Sequence, residues 1–516
     1  MKRFGLPFTI FAFAAAAASA QSANKCADLT RFQMPGWTIE ITKTDTVAAG
    51  PARGGRGGPG PALPAHCRVD GIVDKRTGAD GKTYGIRFAV SLPDNWNGDF
   101  LQQGGGGLNG SVGEPIGNQA AGDKPALTRG FAVATSDTGH QSSGGGFDGS
   151  FMTDQQAALD FEFVAIGRLA VLAKQIIATY YGKPVAHSYY VGCSTGGREA
   201  MLMSQRYPMY FDGIVAGSPA QRTGYSGLAT RAITVALNAA ATKDASGKPG
   251  PALSESDKKA FIAKLLDECD ARDGAKDGMI FDATGCTFQP RDLQCSGAKA
   301  EGCLSAAQVA AIEKGFASPK DSRGKQVYPG FFYDTGITAQ GGGIPGLLSP
   351  GPSPLGAPTT ATNIDIDMQE ETLNNNPTAR IGDSNTWVNL GSFSSHGGKL
   401  IFYHGLSDPW FSAKDTIDYY QRMTAANGGS SKVMDWSRLF LSPGMGHCAG
   451  GSATLDNFDM LTASVNWVEK GQAPDSVMAT GRAFPGRSRP LCPYPMHAQY
   501  NGTGNMDDGA NYSCKQ

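Results

Sequence analysis

Residues 188–191 form a short apolar run that leads directly into Gly192-Cys193-Ser194-Thr195-Gly196, and a helix-compatible segment, 198–207, follows. Strand, tight turn and helix around a G-x-S-x-G motif confine the chain to an α/β architecture. A serine on such an elbow has its hydroxyl thrust clear of the sheet. The flanking glycines relieve the crowded backbone, and the amide after the serine points to where an oxyanion would develop. A Gly/Ser turn in any parallel α/β protein spells the same letters, so the motif gains meaning only from the rest of the chain.

Upstream, strands are predicted over residues 84–92, 100–103 and 130–135. A helix is predicted over 154–181, with apolar Leu159, Phe163, Ile166, Leu169, Leu172 and Ile176 at helical spacing and Gly182 at its end. Another apolar strand, 213–216, comes after the elbow helix. From about residue 221 the rhythm breaks: helical patches at 256–269 and 305–316 are mixed with Gly/Pro-rich coil, notably 338–363. It resumes with strand 399–404, helix 412–426, strand 436–441 and helix 455–469. This alternation predicts a mainly parallel sheet covered on both faces, built from residues 21–220 and 386–516, with residues 221–385 inserted as a lid domain.

Residues 1–20 read as a secretory signal: Lys2 and Arg3, an apolar run over 4–17, then Ala18-Ser19-Ala20 before the cleavage point. The run is too short for a membrane span, which needs about 20 residues. An exported protein, secreted or periplasmic, is expected, with no membrane partner. The remaining length is long for one core and implies two folding units. A net charge of −1 with both signs mixed gives no sign of a nucleic-acid or anionic-membrane surface, and no nucleic-acid partner is expected.

A nucleophilic serine needs a base, and the base needs an orienting acid, in the chain order Ser, acid, His for this architecture. Asp408 lies in the turn Gly405-Leu406-Ser407-Asp408-Pro409-Trp410 after strand 399–404. His447 lies in Pro443-Gly444-Met445-Gly446-His447-Cys448 after strand 436–441. A glycine run, 104–107, ends an early strand, where Gly107 together with the amide of Thr195 would form an oxyanion hole. No Lys-Ser/Thr follows the run, so a phosphate loop is not indicated.

Ten cysteines, none in C-x-x-C spacing, speak for disulfides rather than zinc. Connectivity is open from sequence alone. Proximity favours Cys26 with Cys67, Cys269 with Cys286, Cys295 with Cys303 and Cys492 with Cys514. Cys193 and Cys448 remain, one beside Ser194 and the other beside His447. The loop 270–279 carries three carboxylates and two glycines; its spacing is not that of an EF-hand, and both a solvated acidic turn and a structural calcium site are readings of it.

These residues together resemble the tannase and feruloyl esterase family of serine esterases, over nearly all of the chain apart from part of the lid. The resemblance rests on Gly192-Cys193-Ser194-Thr195-Gly196-Gly197-Arg198-Glu199, Tyr403-His404-Gly405-Leu406-Ser407-Asp408 and Pro443-Gly444-Met445-Gly446-His447-Cys448. It implies an α/β-hydrolase fold and a catalytic set of Ser194, Asp408 and His447, with a disulfide joining Cys193 to Cys448. The other four proximity pairs match the family pattern. It implies oxyanion amides at Gly107 and Thr195, and Ca²⁺ in the lid held by Asp270, Asp273 and Asp277 with the carbonyls of Ala275 and Met279. No organic cofactor is implied.

Phe411 sits where the family places an aromatic pocket residue, and His404 lies beside it; both are candidate substrate contacts. Some members carry a longer aromatic lid segment whose arginine receives a carboxylate of the substrate. Residues 335–364 here contain no arginine, so that acyl pocket is not carried over. The expected substrate is a small aromatic ester, a ferulate or gallate. A terephthalate monoester is the second choice, and a non-catalytic binding protein on the same scaffold the third.

Overall fold

The computed structural model describes residues 25–51, 61–142, 146–339, 346–349 and 359–516. The expected leader, 1–20, and much of the Gly/Pro-rich lid stretch lie outside them. The chain divides into two compact units, Met1–Val191 and Gly192–Gln516.

In the first unit, β1 (Ile39–Val47), β2 (His66–Thr77) and β3 (Thr83–Pro93) pair antiparallel in sequence. β3 also pairs antiparallel with β5 (Ala132–Ser136). That strand is parallel to β4 (Phe100–Gln103), which in turn runs parallel to β6 (Ser188–Cys193). β1 and β2 escaped the sequence reading. β1 is largely exposed, so its apolar alternation is weak, and it is tied down by pairing with β2 rather than by a buried stripe of its own.

The long helix before the elbow also differs from a plain 3.6-residue repeat. Asp154 caps its start by accepting the Ala157 N–H, but residues Asp160–Val164 form a π turn before α1 (Ala165–Tyr181). The extra residue in that turn rotates the apolar stripe by about 100°. Phe161 is therefore buried against Tyr84, Phe151 and Ala157, whereas Leu159 and Phe163 are only half-buried. Beyond the turn, Ile166, Leu169, Leu172 and Ile176 are buried as expected, and Gly182 ends the helix at φ 74°.

The second unit begins with α2 (Thr195–Arg206), then β7 (Gly213–Gly217). β7 pairs in parallel with β8 (Lys399–Gly405), and β8 in parallel with β9 (Ser437–Ser442). Residues 218–398, between β7 and β8, contain α3 (Thr223–Ala240), α4 (Glu255–Cys269) and α5 (Ala306–Phe316). Their cluster includes Phe261, Leu265, Ile280, Phe288, Ile312 and Phe331. It also takes in Leu406, within the acid turn, and Ala413 just after it. α6 (Ala413–Ala426) covers β8. The helix expected from residue 455 starts later, as α7 (Met460–Lys470), because Asp459 caps it by accepting the Thr462 N–H. The end of the chain forms β10 (Val477–Thr480), β11 (Ser488–Leu491), β12 (His497–Tyr500) and β13 (Tyr512–Lys515), closed by Cys492–Cys514.

Candidate active site

The elbow between β6 and α2 holds Ser194 at φ 65° and ψ −122°, a backbone state that costs a non-glycine residue about 1–3 kcal/mol. Its neighbours over-determine it. Ser194 N–H donates to the Gly217 carbonyl (3.0 Å), and the Ser194 carbonyl accepts from the amides of Arg198 and Ala220 (3.0 Å each). A Cβ on Gly192 would lie 2.4 Å from the Gly196 carbonyl oxygen, and one on Gly197 2.2 Å from that of Gly217, so glycine is required at both positions. The glycines of the motif thus let the chain turn back on itself and leave Ser194 partly exposed.

Asp408 and His447 meet. His447 Nδ1 donates to Asp408 Oδ2 at 2.8 Å, and both side chains are buried. The other oxygen, Oδ1, accepts from the amides of Trp410 (2.9 Å) and Phe411 (3.1 Å). Burial alone would push the Asp408 carboxyl up. The charge of His447 and the hydrogen bonds of His404 and His447 outweigh it and hold the group well below the usual carboxylate range. An ionised carboxylate only accepts, so Nδ1 carries a proton, and in the neutral imidazole Nε2 of His447 presents its lone pair. Nε2 has no hydrogen-bond partner among the described residues. That is the protonation pattern of a general base.

The Cys193–Cys448 disulfide spans 255 residues of sequence, with its Cα atoms 5.9 Å apart. It joins the residue before Ser194 to the residue after His447. All four other expected pairs are also bonded.

The two candidate substrate contacts differ in setting. Phe411 lies with its ring centroid 5.4 Å from the His447 ring, and Trp410, the more exposed of the pair, lies at 4.7 Å. His404 is completely buried and both its nitrogens are engaged. Nδ1 contacts Thr416 Oγ1 (2.9 Å), while Nε2 contacts the Phe411 carbonyl (3.0 Å) and lies 3.3 Å from Asp408 Oδ2. It stands behind the acid and offers no open polar atom to a ligand. Trp410 was within reach of sequence reasoning, since it sits two residues after the acid.

Asp334 was missed, because nothing local marks it. Wholly buried in the inserted segment, its Oδ2 accepts from Ser407 Oγ (2.6 Å), next to the acid, and from the Gly444 amide (2.8 Å), three residues before the base. Burial pushes its carboxyl up.

Of the two oxyanion candidates, Thr195 supplies the first amide of α2, at the positive end of the helix dipole. Gly107 belongs to the first unit and has φ 59°. Its loop is shaped by Leu108 N–H to Gly146 O, Asn109 N–H to Gly106 O and Gly110 N–H to Asp137 O, each 3.0 Å.

The acidic loop is closed by Cys269–Cys286. Asp270 accepts from the amides of Asp277 and Gly278, and Asp273 from those of Ala275 and Phe281. Burial, followed by the neighbouring carboxylates, pushes Asp273 up to about 7, and burial also raises Asp270. These carboxylates, beside the buried Ala275 and Met279, are oxygen donors of the kind a hard cation takes, and those of Asp270 and Asp273 already accept backbone amides. Asp277 has a further partner that sequence did not reveal. The buried Arg489 guanidinium pairs with its Oδ2, and Arg487 donates to its carbonyl (2.7 Å).

The family described as "Tannase and feruloyl esterase" matches residues 67–515. The chain is 36% identical to a mono(2-hydroxyethyl) terephthalate hydrolase of Piscinibacter sakaiensis, over 88% of this chain and 85% of that one. The crystal structure of feruloyl esterase B from Aspergillus oryzae superposes with a TM-score of 0.77 at 25% identity, covering 96% of this chain and all of that one. Tannin acyl hydrolase from Aspergillus niger shares the fold at a TM-score of 0.66 and 20% identity, over 94% and 93% of the two chains.

Proposed function

The chain belongs to the tannase and feruloyl esterase family and is a carboxylic ester hydrolase of the α/β-hydrolase fold; from that premise we propose that it cleaves esters of aromatic acids through a serine-bound acyl-enzyme. The observation that carries the mechanism is the buried 2.8 Å bond from His447 Nδ1 to Asp408, which leaves Nε2 open as a base. Ser194 Oγ attacks the ester carbonyl carbon while its proton passes to Nε2. The negative oxygen of the tetrahedral intermediate is received by the amide of Thr195 at the head of α2, such a donor being worth about 3 kcal/mol. Collapse breaks the C–O bond to the alcohol, which leaves with the proton from Nε2. A water then repeats the sequence on the acyl-serine, releasing the acid and restoring Ser194. Asp408 keeps the imidazole in the required tautomer throughout and stabilises its charged form.

An aromatic acyl group is supported by Trp410 and Phe411 beside the imidazole, and by relatives named as feruloyl esterases. A ferulate or gallate ester is the first reading. A terephthalate monoester is the second, favoured by 36% identity to the hydrolase of that name and disfavoured by the absence of arginine from residues 335–364.

Residues 221–385 act, in this reading, as the lid over the site. The loop of Asp270, Asp273 and Asp277, with the carbonyls of Ala275 and Met279, would hold Ca²⁺, which would neutralise buried carboxylates and take no part in the chemistry. An oxidising destination, secreted or periplasmic, is supported by the five disulfides.

The test is a panel of methyl ferulate, methyl gallate, mono(2-hydroxyethyl) terephthalate and p-nitrophenyl acetate with wild type and Ser194→Ala. Serine-dependent turnover of ferulate or gallate is expected. Turnover of the terephthalate alone would move the assignment to the second reading, and undiminished activity in Ser194→Ala would remove the mechanism.

A further inference from the structure

Asp408 does not stand alone behind His447. A file of side chains runs toward it through the second unit, from the part-exposed Arg422 through the buried Asn385, Gln221, Thr416 and His404. Arg422 donates to Asn385 Oδ1 (2.6 Å), and Asn385 Nδ2 donates to Gln221 Oε1 (3.0 Å). Gln221 Nε2 donates to Thr416 Oγ1 (2.9 Å), and that hydroxyl lies 2.9 Å from His404 Nδ1. His404 Nε2 then faces the Phe411 carbonyl at 3.0 Å and Asp408 Oδ2 at 3.3 Å.

The chemistry of the two ends sets the direction of every bond. A guanidinium only donates, and an ionised carboxylate only accepts. Both amides are therefore oriented. A lone pair on His404 Nε2 would face two oxygens, so in the neutral imidazole Nε2 carries the hydrogen and Nδ1 accepts from the Thr416 hydroxyl. The imidazole is held in one tautomer by its surroundings, and all of Gln221, His404, Asp408 and Thr416 are almost wholly buried.

We propose that His404 is a positioning residue for the ester hydrolase reaction: an oriented imidazole whose Nε2 lies 3.3 Å from Asp408 Oδ2, the oxygen that His447 Nδ1 also bonds, and which thereby sets how much of the carboxylate's charge the general base receives. The inference rests on the triad proposed above. Phe411 takes part in the same grip, since its amide donates to Asp408 Oδ1 while its carbonyl accepts from His404. The file also reaches the nucleophile's segment, because Ala220, next to Gln221, donates to the Ser194 carbonyl (3.0 Å). The charged groups around it are Asp408 and His447 at one end. At the other are the Asp415–Arg222 pair and Arg422, itself paired with Asp418.

The test is steady-state hydrolysis of p-nitrophenyl acetate across pH by wild type, His404→Leu, His404→Gln and Thr416→Val, each with its melting temperature. In His404→Leu, kcat is expected to fall roughly tenfold with KM nearly unchanged, far less than the ~10⁴-fold cost of misdirecting the base itself. The acid limb of kcat/KM should move to higher pH, because Asp408 then spends its charge on His447 alone and favours the imidazolium. His404→Gln, whose amide nitrogen falls near Nε2, should recover most of both effects. Thr416→Val, which keeps the imidazole but removes the hydroxyl that selects its tautomer, should shift both in the same direction. Wild-type kcat and an unmoved acid limb in His404→Leu would overturn the proposal. So would a His404→Gln no better than His404→Leu when both melt like wild type. Should His404→Leu fail to fold, an unchanged kcat and acid limb in Thr416→Val overturn it equally. None of these results touches the triad, whose own failure would appear as an active Ser194→Ala.

Discussion

Removing the Cys193–Cys448 bridge separates its two contributions, stability and alignment. In the chain-entropy description a crosslink closing n residues lowers the denatured-state entropy by about 2.1 + 1.5R ln n cal/mol/K. The 255-residue separation gives ~18.6 cal/mol/K, or ~5.5 kcal/mol at 25 °C. The Cys492–Cys514 bridge, separation 22, gives ~11.3 cal/mol/K, or ~3.4 kcal/mol. With an unfolding entropy of roughly 2.1 cal/mol/K per residue over 516 residues, these correspond to melting-temperature losses of about 5 and 3 °C. The stabilities of Cys193→Ser/Cys448→Ser and Cys492→Ser/Cys514→Ser should thus differ by only a couple of degrees. Their activities should differ far more. Only the first bridge adjoins Ser194 and His447, and a displacement of about 1 Å between nucleophile and base costs on the order of 100-fold. The measurements are thermal melting and kcat/KM at 25 °C, well below either transition. If the Cys193/Cys448 variant kept wild-type kcat/KM while losing its few degrees, the bridge would be a stabiliser only. An equal loss of activity in both variants would trace the effect to general loosening.

Three further outcomes follow from the same structure. Asp273 has a folded-state pKa raised to about 7 from an ordinary value of 3.8, so its protonated form favours folding at low pH. In chelated protein that contribution is complete below about 4 and is lost as pH rises to about 7; added Ca²⁺ or Asp273→Asn should flatten the fall in melting temperature, and an identical pH profile with and without Ca²⁺ would remove the calcium reading. Asp334→Ala strands the Ser407 hydroxyl and the Gly444 amide in a buried site, at about 1–3 kcal/mol each, and should lower kcat as well as melting temperature because both partners belong to the catalytic loops; unchanged values in both assays would contradict this. Gly444→Ala places a Cβ 1.8 Å from the Ala453 carbonyl oxygen at a backbone with φ 67°, so it should yield little soluble protein, and near-normal expression and activity would show that the base loop is less constrained than its geometry implies.

The order of elements was legible because each carries its own short-range pattern. The elbow strand, β4, β7, β8 and β9 were each within two residues of their expected bounds, as buried parallel strands read as continuous apolar runs bounded by turn residues. β1 was not legible, since an exposed edge strand has little apolar alternation to display. The π turn at Asp160–Val164 was not either, because one inserted residue changes the phase of a helix without leaving a mark in composition. Asp408 and His447 were singled out as candidates through strand-end placement and chain order, and Cys193 and Cys448 through their positions beside Ser194 and His447.

By itself, then, the sequence determined the α/β rhythm, the strained serine elbow and which acid and histidine follow which strand, all properties of neighbours along the chain. Tertiary structure alone decided what surrounds them. Gln221 reaches Thr416 across 195 residues, Asn385 meets Gln221 across 164, and Arg489 pairs with Asp277 across 212. Nor does any local signal place Asp334 between the two catalytic loops. The physical reason is that a buried polar side chain must find a partner wherever the fold brings one within about 3 Å, and that distance in space has no counterpart in spacing along the chain.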